Sequence, residues 1–266
     1  MAILLLVILA GTACGDSQGS GISADEVVRN ALAAQARVSS SHIEATVQAS
    51  ATGTLQGAAL NVNLSGQDSG DVDWANRKAK SLSQLSGSYN GLPVSVTAQT
   101  YAVDNYTYSQ VTAFGTAENW TRSPLAATHW ATQSYVQLIY GLLEYAEPDL
   151  QADEPLNGVD CYVLKLEPDY EAIKADLGQQ YPQIAAVPDL GQLFDHLSIL
   201  VWVARDTSFV TRIEIVAAAH AAPEDLGETA NGETVTVSLT LTVEASRINE
   251  PVAISLPPEA LNAAAA

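Results

Sequence analysis

Hydrophobic and polar positions alternate with a two-residue period over most of this chain, most cleanly between residues 198 and 219. Ile199, Val201 and Val203 interleave with Leu200, Trp202 and Ala204; Arg205, Asp206, Thr207 and Ser208 interrupt, and residues 209–215 resume the period. β-Branched and aromatic residues suit a pleated, half-buried surface, and a short polar break between two such runs marks a hairpin. Leu200, Trp202 and Ala204 share one face, which the bulk of Trp202 assigns to the core.

The same alternation predicts strands at 42–48, 58–66, 71–74, 79–86, 92–100, 105–110 and 119–122, and again at 160–167 and 234–245. Thr52-Gly53, Asn90-Gly91 and Asp104-Asn105 supply turns between them. Helical spacing replaces the period at 24–38, where Ser23 and Glu26 form a capping box. It returns at 132–146, ahead of Pro148, then at 168–180 and, briefly, at 189–196. The expectation is a single α+β domain over residues 23–260, one long antiparallel sheet with helices gathered on one face.

The first ten residues are apolar but too few to cross a bilayer, which takes a helix of ~20 residues. With Gly11, Thr12 and Ala13 they read as a secretory signal over residues 1–13. Small residues ahead of Cys14 resemble a bacterial lipobox, in which the cysteine is lipidated and becomes the new N-terminus. No Lys or Arg precedes the apolar run, and Gly11 stands where a lipobox usually has Leu. An ordinary signal peptide with an incidental cysteine is the competing reading. Residues 14–22 form the anchor and a flexible tether, Cys161 stays unpaired as a small buried hydrophobe, and residues 261–266 are expected to be a disordered tail.

The net charge of -19, from 30 acidic against 11 basic residues, argues against nucleic acid as a partner. It suits an extracytoplasmic, monomeric protein anchored to a bacterial membrane through Cys14.

Catalytic patterns are weak. Residues 15–19 satisfy G-x-S-x-G, but a removable signal precedes them and a tether follows, where a nucleophile elbow needs a strand and a helix. His42, His129, His196 and His220 are scattered without zinc spacing. Asp68, Asp71 and Asp73 lack the glycine and closing glutamate of a calcium loop and read as a charged turn. Glu144, Glu147, Asp149, Asp153 and Glu154 read as solvated surface, with no pair selected for glycoside hydrolysis. The expectation is therefore no enzyme, no metal and no cofactor. Tyr106, Tyr108, Trp120, Trp130, Tyr135, Leu138, Ile139 and Leu142 either line a cavity between sheet and helix or fill a core.

The lipobox-like Cys14, the strand 158–164, the paired runs 201–203 and 210–213, and the closing 249–257 together resemble the LolA/LolB-like superfamily, closest in pattern to lipoproteins of the LppX/LprG type. The likeness spans most of the mature chain. It implies a large curved antiparallel sheet, a half-barrel, with helices on its concave side enclosing a hydrophobic cavity. Such a cavity takes a lipid or acyl chain, and the residues assigned to it are the eight above together with Trp202. Some members of this superfamily act as sensors or regulators, so a surface lipoprotein with a packed core and a protein partner is the alternative.

Overall fold

The computed structural model describes residues 21–55, 57–125, 143–172, 174–175, 189, 191–222 and 233–265. Among the described residues α1 (Ala24–Gln35) precedes fourteen strands. These are β1 (Ser40–Leu55), β2 (Ala58–Asp73), β3 (Lys78–Tyr89), β4 (Leu92–Val103), β5 (Tyr106–Ala113), β6 (Thr116–Ala117) and β7 (Thr121–Pro124). There follow β8 (Ala146–Leu150), β9 (Glu154–Leu156), β10 (Val159–Pro168), β11 (Phe194–Ala204), β12 (Val210–Ala221), β13 (Val235–Ser246) and β14 (Ala264–Ala265). They make one large, curved, unclosed sheet in the order β14-β7-β5-β4-β3-β2-β1-β13-β12-β11-β10-β8. Every pairing is antiparallel except that of β14 with β7.

α1 starts where expected: the Ser23 hydroxyl accepts the Glu26 N–H at 3.2 Å. It ends at Gln35, three residues before the predicted end. Val27 and Ala31 pack on Ile43 and Ala45 of β1, Val243 of β13, Ile213 of β12 and Val201 of β11. The side carrying these residues is called here the inner face. Directly paired residues share a face, so registers such as Ala45↔Val243 and Ile213↔Val201 carry the assignment across the sheet.

Other expectations change as well. The predicted strands 58–66 and 71–74 are one strand of 16 residues, because β1 and β3 pair it along its length even across Ser69 and Gly70. Residues 146–150, read as the last residue of helix 132–146 and the solvated acidic stretch after it, form β8 at the sheet's margin. Pro148 is compatible with a strand there, where one side of the backbone needs no ladder partner. The short helix at 189–196 shrinks to a 3-10 turn, Gly191–Leu193, and Phe194 already belongs to β11.

The predicted disordered tail is ordered through Ala265. From Asn249 the chain crosses the outer face as a strap. Asn249 Oδ1 accepts the Ser39 N–H at 2.7 Å, Ser40 Oγ donates to Glu250 O at 2.6 Å, and Lys80 Nζ donates to Ala253 O at 3.3 Å. Leu256, Ala260 and Ala263 pack on Tyr101, Tyr108 and Trp120, and β14 then pairs with β7. Beneath the strap Asp71 holds three partners: His42 Nδ1 at 2.7 Å, Arg247 Nη2 at 2.8 Å and Lys80 Nζ at 2.9 Å.

Candidate functional site

α1 covers only part of the inner face. The buried cluster beneath it runs out at Leu241 and Ile215, which are only partly buried. Beyond them lie two further rows of paired residues. One runs Leu241, Val47, Gly66, Leu85, Val96 and Ala113; the next runs Leu239, Ala49, Leu64, Gly87 and Val94. Their Val and Leu side chains are half-buried, neither packed away nor fully exposed. A hollow of about 160 Å³ opens among Ala45, Val47, Leu85, Val96, Ala98 and Leu241, with Asp68 and Ser83 also in its wall. Gly66 forms its floor: a Cβ there would come within 2.8 Å of Val47 Cγ1.

Among the described residues of β1–β5, β12 and β13, Asp68 is the one charged side chain on the inner face. Ser83 Oγ donates to its Oδ2. A hollow of about 30 Å³ near the C-terminal end of α1, lined by Gln35 and Ser41, has room for a water and no more.

The described aromatic residues among those assigned to a cavity from sequence, Tyr106, Tyr108, Trp120 and Trp202, lie on the outer face. Tyr108 pairs with Tyr101, Tyr101 with Lys80 and Lys80 with Asp71, which pairs with His42; this row lies on the outer face. Tyr108 and Trp120 are buried there under Ala260 of the strap. Tyr106 lies beside Tyr108, with the Arg122 guanidinium 4.8 Å from its ring centre. Trp202 is also an outer-face residue, packed with Cys161 and Val163, while Ile199, Val201 and Val203 face the main core. Its indole N–H donates to Glu154 at 3.3 Å, and the Arg212 guanidinium lies 4.9 Å from its ring. Trp202 is thus buried as expected, but on the opposite side from α1. Cys14, Trp130, Tyr135, Leu138, Ile139 and Leu142 lie outside the described residues, as does most of the predicted helix 132–146.

The charged candidates do not converge. Asp68, Asp71 and Asp73 belong to β2 rather than to a turn, with Asp68 on the face opposite the other two. Asp73 accepts from Asn76. Asp153 pairs with Arg205 at 2.7 Å, and His220 Nδ1 lies 2.8 Å from Asp195. Burial opposes the charge of Asp71, but hydrogen bonds from Lys80 and His42 and their positive charge outweigh it and hold its carboxyl below the ordinary carboxylate range. Burial pushes the Cys161 thiol up, only partly countered by Thr211.

No protein-family model matches the sequence, and comparison with curated proteins finds no match. Among solved structures the chain is similar to the lipoprotein LppX of Mycobacterium tuberculosis, at 17% identity over 87% of this chain and 97% of that one, TM-score 0.43. It is similar to LprF of Mycobacterium bovis, at 15% identity over 88% and 96% of the two chains, TM-score 0.47. A weaker likeness is to MucB in the MucA/MucB complex of Pseudomonas aeruginosa, at 12% identity over 88% and 67%, TM-score 0.29. Likenesses this distant carry no assignment of ligand or activity.

The residues around the hollow were missed from sequence because most are small or modest in size. The visible signal was the alternation of Leu60, Val62 and Leu64 in β2, which marks an apolar face without showing how far α1 reaches over it.

Proposed function

We propose that this chain is a lipid-anchored extracytoplasmic lipoprotein that takes a hydrophobic ligand, a lipid or acyl chain, against the inner face of its sheet, as a carrier or sensor. The observation that carries the reading is the pair of aliphatic rows beyond α1, half-buried and flanked by one carboxylate, Asp68. A soluble domain ordinarily packs such a face; one left as a mainly aliphatic hollow with a single carboxylate and a hydroxyl in its wall has the chemistry of a lipid site. At about 160 Å³ the hollow holds part of an acyl chain. The Cys14 anchor rests on the small residues and apolar run before it. No described helix is long and apolar enough to cross a membrane.

The test is a titration with a fluorescent fatty acid. Ala98→Trp places bulk in the hollow, and Gln99→Trp, one residue on, places it on the outer face. Ala98→Trp should weaken binding at least tenfold with thermal unfolding little changed, while Gln99→Trp binds as wild type. Absence of binding by wild type would favour the packed-core lipoprotein acting through a protein partner.

A further inference from the structure

The end of the sheet away from α1's C-terminus differs in composition from the rest of the molecule. Residues 45–67, 81–103, 105–117 and 234–243 contain no Asp, Glu, Lys or Arg, in a chain of net charge -19. In the structure these segments are the far parts of β1, β2, β3 and β13, the whole of β4 and β5, and the hairpin tips joining β1 to β2, β3 to β4 and β5 to β6. Of the charged strand residues, His42, Glu44, Asp71, Lys80, Arg212 and Glu244 lie toward the other end, joined in ion pairs, and Asp195 and His220 pair with each other on β11 and β12, across β13 from the other segments.

At one corner of this uncharged end, large apolar side chains point into solvent. Tyr89 is 50% exposed and Leu92 67% exposed, on either side of the Asn90-Gly91 turn, and Phe114 is 71% exposed in the next hairpin. The two tips are neighbours: the Phe114 N–H donates to Ser95 O at 3.0 Å, three residues along β4 from Leu92. Three rungs of strand separate them by ~10 Å.

The Phe114 tip is costly by ordinary criteria. Phe114 has φ 51° and Gly115 φ 79°, left-handed positions in a two-residue turn that Asn, Asp or Gly fill most readily. A bulky side chain is strained at such a φ, and here it gains no packing in return. The matching turn in the β3–β4 hairpin has the favoured Asn90-Gly91, and Asn90 is further held by the Asn61 N–H at 2.7 Å. One hairpin therefore holds its exposed Leu on a well-formed turn, and the other holds its exposed Phe at the expense of turn stability.

We propose that this corner, Tyr89, Leu92 and Phe114 at the β3–β4 and β5–β6 tips, docks into the interfacial layer of a lipid bilayer of zwitterionic, uncharged lipids. The absence of charge selects this occupant. Burying a charged group in the interface is costly, whereas aromatic and aliphatic side chains on an uncharged support gain by it. The net charge of the chain sets the preference for zwitterionic over anionic lipid. Docking stops short of the β1–β2 tip, where Glu233 accepts the Gly57 N–H. Bound this way, the far end of the trough formed by the aliphatic rows of the inner face meets the lipid surface.

The experiment uses the full chain with phosphatidylcholine vesicles containing brominated lipid. Leu92→Trp and Phe114→Trp put a reporter at each tip, and Ala75→Trp, in the turn between β2 and β3, puts one at the opposite end. The four native tryptophans are a background common to all three. Bromine quenching of the added emission should be at least threefold stronger at 92 and 114 than at 75. Equal quenching at all three positions overturns the proposal. Concentration-dependent dimers lost in a Leu92→Ser, Phe114→Asn double variant, without tip quenching, overturn it in favour of a second copy of the chain. The readout is independent of ligand in the trough: tip quenching with unaltered fatty-acid binding by Ala98→Trp would leave docking standing and remove the trough reading.

Discussion

Trp202→Ala separates stability from ligand binding. Trp202 is 6% exposed, so the substitution removes close to a whole indole from contact. Burying ~200 Å² of ring at ~25 cal/mol per Å² corresponds to ~5 kcal/mol. A compact denatured chain lowers this by ~10–40%, to ~3–4 kcal/mol. Losing the Arg212 guanidinium from over the ring adds ~0.5–1 kcal/mol. The sum, ~4 kcal/mol, falls within the range of buried Trp-to-Ala changes. With a urea slope of ~2 kcal/mol/M, the unfolding midpoint should fall by ~2 M. Because the cluster of Trp202, Cys161 and Val163 is on the outer face, fatty-acid affinity of the folded variant should match wild type. A loss below ~1 kcal/mol would refute the burial argument. A folded variant that no longer binds would refute the face assignment.

Other outcomes follow from the same structure. Metabolic labelling with a palmitate analogue should mark wild type and not Cys14→Ser; equal labelling of both removes the anchor. Asp71 has a folded-state pKa below its unfolded value, so the stability it contributes is present above the ordinary carboxylate range and is lost as pH falls through the folded value. Asp71→Asn should therefore be less stable than wild type at pH 7, by ~1–3 kcal/mol, and the gap should narrow below about pH 4 in urea unfolding curves. A gap independent of pH would show that the charge of Asp71 is not what its three partners stabilise. Cys161 is fully buried with its thiol pushed up, so iodoacetamide at pH 8 should modify it only once urea unfolds the protein. Rapid modification of the folded chain would contradict that placement.

Where one face of a strand is apolar and the other polar, its sequence told which side is buried. β1 shows this, with Ile43, Ala45 and Val47 set against His42, Glu44 and Thr46. β11 does not, because Ile199, Val201 and Val203 and Leu200, Trp202 and Ala204 are both apolar sets. Side-chain size misleads there: the larger set lies under Arg212 on the outer face, and the smaller faces α1. The extent of β2 was hidden because Gly66, Ser69 and Gly70 have little strand preference of their own and are held by two flanking strands. Tyr108 and Trp120 were taken for cavity residues because their cover is supplied from Leu256, Ala260 and Ala263, far away in sequence, in an alanine-rich tail with no periodic signal. The trough was legible only as an apolar alternation, since whether α1 reaches over a given row depends on where a 12-residue helix ends.

The central claim is that the inner face takes a lipid or acyl chain. Native mass spectrometry of the full chain, extracted from its own membrane in mild detergent, tests it most directly. Wild type should carry a non-covalent adduct of lipid mass that is lost on collisional activation and is greatly reduced in Ala98→Trp. Wild type and Ala98→Trp both at the bare mass of the chain, or both carrying the same adduct, would contradict it.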